Sequence, residues 1–200
     1  MGEDDGRADV SALRAVAHPV RLRILSLLTG TPMSAAEVAR ELDLTHANAS
    51  YHLRQLVDAD ELVVAGEERI RGGVAKRYRY PHERRGEHPR PGDPRPEDRV
   101  LYVRAVGQEI ERRVLQRRPR RPQQMSDLEG WVDEATWARA LALVQEASML
   151  LHEANRPPRT TGTLHVSLTA VAFEMTGIPD EGTDEGTDEG TDEGPDEVSS

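Results

Sequence analysis

The chain has no cysteine, one phenylalanine and, among its 26 basic residues, a single lysine. Without cysteine there is no disulfide framework, no thiol nucleophile and no thiolate metal site. With so few aromatic rings, any core must rest on leucine, valine, alanine and isoleucine. No apolar run approaches the ~20 residues a helix needs to cross a bilayer. The first residues, MGEDDGRADV, are acidic and polar, the opposite of a secretory signal, so a cytoplasmic protein is expected. There is also no nucleophile elbow, no phosphate-cradling glycine loop and no convergent acid–base pair, which argues against an enzyme.

What is present is unevenly spread. The formal net charge is -10, yet ten of the 36 acids lie between residues 180 and 197, leaving 26 acids against 26 bases elsewhere. From Arg69 to Arg95 nine bases face only Glu83, Glu87 and Asp93. Regional charge therefore says more about partners than the total does. The acidic end, DEGTDEGTDEGTDEGPDE, is a four-residue low-complexity repeat, too short and polar for a solenoid and expected to be disordered.

Apolar spacing places the helices. Leu13 and Val16 precede a break at Pro19, and Leu22, Ile24, Leu25, Leu27 and Leu28 make the next stretch apolar almost all round, as a central core helix would be. Ser34 and Glu37 have the spacing of a capping box, opening a helix that should stop near Asp43. Thr45 is the expected N-cap of a third helix running to Asp58. Leu62 to Ala65 and Val74 to Tyr80 flank Gly72-Gly73 as a hairpin. A Pro-rich connector follows, then helices over 96–118 and 134–155. LEGWV suggests a short strand, and the alternation of Leu164, Val166, Leu168, Ala170 and Ala172 predicts the clearest strand in the chain, over 163–174.

Three short helices followed by a two-stranded ribbon is the order of a winged helix-turn-helix. Ala39 is small where two helices would cross, the turn falls at Asp43, and Ala49, Leu53 and Leu56 would pin the third helix inward, with His52 at the margin. Its outward arc then holds Thr45, His46, Ala47, Asn48, Ser50, Tyr51 and Arg54. Asn pairs bidentately with adenine, Arg with guanine, and Ala meets a thymine methyl, while hydroxyls suit phosphate oxygens. On the hairpin, Arg69, Arg71, Lys76, Arg77 and Arg79 are expected to lie along the backbone. The expected partner is double-stranded DNA.

The stretches LRAVAHPVRLRILSLL, SAAEVARELDLTHANASYHLRQLVDADELV and GGVAKRYRY resemble the ArsR-like winged-helix regulators. The likeness lies in the A-x-P-x-R-x-x-I-L of Ala17 to Leu25, the S-x-H-L of Ser50 to Leu53 and the aromatic return strand. It implies a homodimeric, usually repressing, transcription regulator, with DNA-facing positions at Thr45, His46, Ala47, Asn48 and Tyr51. Metal-sensing members of that family place cysteines on the helix that here reads EVARELDL. None occurs here, and the 96–118 helix has no histidine, so no metal and no cofactor are expected.

The chain thus reads as mainly α with small β. It divides into a disordered N-terminus (1–8), a winged helix-turn-helix domain (9–81), a linker (82–95), a C-terminal α/β region (96–176) and a disordered tail (177–200). The C-terminal region would serve dimerisation and a small-molecule effector pocket, with Trp131 and Trp137 as candidate lining. The competing reading is a winged-helix module that docks protein without DNA, because residues 1 to 80 hold 11 bases and 12 acids.

Overall fold

The computed structural model describes residues 13–70, 73–81 and 95–176. The expectations for residues 1–8, the connector 82–94, the tail 177–200, Arg71 and Gly72 lie outside the described residues.

A helical turn at 13–16 precedes α1 (Pro19–Leu28). His18, the residue before proline, is held extended at φ -151° and ψ 128°, as the proline ring requires. Its Nδ1 accepts from the Val20 N–H at 3.1 Å and caps the helix. Ile24, Leu25 and Leu28 then face the centre of the core.

β1 (Met33–Ser34) leads into α2 (Ala35–Leu42) through the expected capping box. The Ser34 hydroxyl accepts from the Glu37 N–H at 3.4 Å, and the Ser34 N–H donates to the Glu37 carboxylate at 2.7 Å. Such a cap is worth ~1 kcal/mol. Asp43 ends the helix in the left-handed region at φ 54°, a conformation that Asp tolerates better than most residues. The Leu44 N–H closes the turn on the Ala39 carbonyl at 2.8 Å.

α3 (His46–Asp58) starts at Thr45, whose hydroxyl accepts from the Asn48 N–H at 3.2 Å. β2 (Val63–Ile70) and β3 (Gly73–Arg79) form the hairpin, and the antiparallel sheet runs β1-β3-β2 with Met33 opposite Tyr78 and Val64 opposite Tyr78. β2 is longer than expected. Its far half, Glu67 to Ile70, is exposed, so it lacks the apolar alternation by which strands are read.

Val16, Ile24, Leu28, Val38, Ala49, Leu53, Leu56, Leu62 and Tyr80 form one core. α4 (Pro96–Leu115) packs on α1, with Tyr102 against that core and Ala105 and Val106 buried. Asp98, in its first turn, is buried 3.9 Å from the Arg14 guanidinium. Buried Glu109 is held by Arg112 and Arg113.

The C-terminal region departs from expectation. α5 (Glu134–Ala154) forms, capped by Asp133 through the Thr136 N–H at 2.8 Å, but buries none of its residues. LEGWV is not a strand. Neither is 163–174, where residues 163–176 carry no ladder. Alternation specifies a two-sided segment, but a strand also needs a neighbour to take its N–H and C=O groups. Among the described residues none lies beside it. The expected α/β core is therefore not built within residues 95–170, and residues 171–176, the described part of a separate unit, hold no helix or strand.

Candidate nucleic-acid interface

The helix-turn-helix pair sets the geometry. α2 and α3 pack together, Ala39 and Ala49 both buried. Ala49, His52, Leu53 and Leu56 turn α3 inward. The opposite arc, Thr45, His46, Ala47, Asn48, Tyr51 and Arg54, is exposed, and Ser50 is half-buried at its margin. These seven side chains, scattered in type, are thereby gathered on the N-terminal two-thirds of one helix face.

His52 sits deeper than its marginal position in the sequence suggests, at 6% exposure. Its ring lies 4.9 Å from that of His18 and 5.3 Å from Tyr51, the latter edge-on. Burial, the neighbouring His18 and then Arg21 hold the His52 pKa below its ordinary value. Burial and Arg21 do the same to His18. Both rings are thereby biased toward the neutral form, and Arg54 gives the exposed arc its permanent positive charge. Sequence reasoning missed the pairing, since only folding brings positions 18 and 52 together.

The hairpin sorts its cations by task. Arg69 and Lys76 are exposed, whereas Arg77 and Arg79 are half-buried. Lys76 stands opposite Glu67. Arg77 is committed inside the protein: its guanidinium donates to Glu68 at 2.8 Å and to the Pro32 carbonyl, and lies 3.2 Å from Glu37. Its expected place on a phosphate is thus taken by protein acceptors. The run of cations is also less uniform than its spacing implied, because Glu67 and Glu68 sit across the hairpin from it.

Glu37 joins the two halves of the site, capping α2 through Ser34 and receiving Arg77 from β3. Desolvation works against its charge, but the Ser34 backbone and hydroxyl bonds, then Arg77 and Arg40, hold its pKa below the ordinary value. Between α3 and the hairpin runs a groove lined by Arg54, Val57, Asp58, Val64, Lys76 and Tyr78. Trp131, by contrast, is 88% exposed and Trp137 half-exposed, so Trp131 stands in solvent rather than lining an effector pocket.

A capped helix, a tight left-handed turn, a second helix with its polar face outward and a hairpin behind it define a winged helix-turn-helix domain. Residues 16–63 match the family described as a helix-turn-helix domain. The chain is also 36% identical over 70 residues, covering 33% of its own length and 74% of the relative's, to an uncharacterized HTH-type transcriptional regulator of Methanocaldococcus jannaschii. It belongs to the helix-turn-helix family of regulators. Among the described residues, no helix is long and apolar enough to cross a membrane.

Proposed function

We propose that the protein is a sequence-specific, DNA-binding transcriptional repressor of the ArsR-like type, working in the cytoplasm at the nucleoid. The observation that carries this reading is the division of α3. Its inner residues are locked into the core, while Asn48, Tyr51 and Arg54 stand free beside the exposed N-terminal turn. A helix presented in this way enters the major groove with its first residues at the base edges. Asn48 and Arg54 supply bidentate readers, Ala47 an apolar contact, and Thr45, Ser50 and Tyr51 phosphate ligands. Arg69, Arg71 and Lys76 are the cations that would follow the flanking backbone. His46 opens α3 on the same exposed arc as Asn48. Repression follows from occupancy of a promoter.

Two half-sites require two copies. On α4, Val100, Val103, Gly107, Ile110 and Val114 are spaced alternately three and four residues apart, the seam of a helix pair, and all are exposed. A Cβ at Gly107 would meet nothing within 4 Å. A glycine inside a helix costs roughly 1 kcal/mol relative to alanine, and close approach of a second α4 gives it a purpose. The reading is therefore a homodimer joined along this seam.

The test is the Tyr51→Ala, Arg54→Ala double variant, checked for folding by circular dichroism. It should lose roughly 1–3 kcal/mol of duplex discrimination for each reading contact removed. DNA fragments selected from the source genome should carry half-sites about one helical turn, or a multiple of it, apart. A folded wild-type protein that selects no duplex would instead favour a protein-docking module.

A further inference from the structure

We infer that residues 164–170 form an intermolecular strand, pairing antiparallel with the same segment of a second copy about a two-fold axis at Ser167. This rests on the homodimer reading and adds an element to it.

The segment starts after Gly162, which turns the chain at φ 80°. Over the described residues 163–176 it shows no bend, turn or ladder partner. Its apolar residues nevertheless alternate, and they face water: Leu164 is 63% exposed, Val166 59% and Leu168 47%. A segment with this alternation and open backbone edges is a template for another strand.

Three observations favour a second copy as that strand. The pattern is self-complementary: centred on Ser167, antiparallel pairing sets Leu164 against Ala170, Val166 against Leu168 and His165 against Thr169. Apolar meets apolar on one face and polar meets polar on the other, as any pairing that keeps the side-chain period must. The segment is also fastened to the proposed dimer helix, since Arg113 reaches the Thr169 hydroxyl at 3.5 Å. Finally, among the described residues up to Ala170, 19 of the 23 exposed large hydrophobic side chains lie at or beyond Val100. α5 likewise buries none of its own residues, so this half of the chain carries apolar surface that a second copy would cover.

The absence of native cysteine makes cross-linking clean. Ser167→Cys and His165→Cys are introduced separately into the full chain, which is oxidised mildly without DNA while light scattering follows the mass. Opposed residues of antiparallel strands have Cα atoms about 4.5–5.5 Å apart, within disulfide reach. The two copies of position 165 would be about 13 Å apart, four residues along the strand. The expected result is a disulfide-linked dimer with Ser167→Cys, formed several-fold faster than with His165→Cys. A dimer in which neither variant cross-links, or both do equally, overturns the strand while leaving the α4 seam intact. A monomer overturns both. Neither result bears on duplex binding, which is measured separately.

Discussion

His18 and His52 sit 34 positions apart and touch ring to ring. Each has an unfolded value near 6.5 and a lower folded one. The unfolded chain therefore takes up protons that the folded chain refuses, so stability is full above about pH 6.5 and falls as pH drops through the folded values. Glu37, with its own lowered pKa, acts only below its ordinary 4.5. The window between belongs chiefly to the two rings. Thermal melts should thus show the melting temperature falling from about pH 6.5 toward 4.5. His52→Leu should flatten that fall, since it removes one of the two rings whose folded pKa is lowered. An unchanged pH profile in the variant would contradict this account of the pair. Protonating His18 at Nδ1 would also remove the acceptor that caps α1.

At the scale of elements, helix ends were legible and cross-chain fastenings were not. Ser34, Thr45 and Asp133 each begin a helix by accepting a backbone N–H three residues ahead, a bond whose two partners stand side by side in the sequence. Gly30 is different. A Cβ there would lie 2.9 Å from the Arg156 carbonyl oxygen and 3.2 Å from the Asn155 side chain, so the chain just after α5 rests on the turn after α1. Arg159 meets Glu41 of α2 in the same region. Gly30→Ala should release this contact without unfolding the helix-turn-helix. Limited proteolysis should then cut the 155–160 segment several-fold faster than in the wild type, with the melting temperature of the core little changed. Equal cleavage rates would show that the contact does not hold in solution. The expected strand at 163–174 did not form for the complementary reason: alternation describes a strand's faces, while its formation depends on an edge partner, and the described residues provide none.

For the whole molecule, the division of charge matters more than its sum. With each neutralised phosphate, the plot of log affinity against log salt gains a slope of about -0.9. Lys76→Ala should therefore flatten the salt dependence of duplex binding by about one unit per subunit while leaving stability near the wild type. Arg77→Ala should do the reverse, lowering the melting temperature through Glu37, Glu68 and Pro32 with little change in slope. Filter binding across a salt series and parallel thermal melts separate the two. Identical slopes for wild type and Lys76→Ala would remove that residue from the interface.

The sequence by itself determined the helices of the amino-terminal domain, their caps, the inward and outward faces of α3 and the existence of the hairpin. Each depends on spacing or hydrogen bonds within a few residues. Tertiary structure alone decided how Arg77 is committed, how the two histidines meet, why Gly30 is bare and that 163–170 has no ladder partner among the described residues. Those outcomes turn on which distant groups packing brings within bonding distance, and linear order does not encode that.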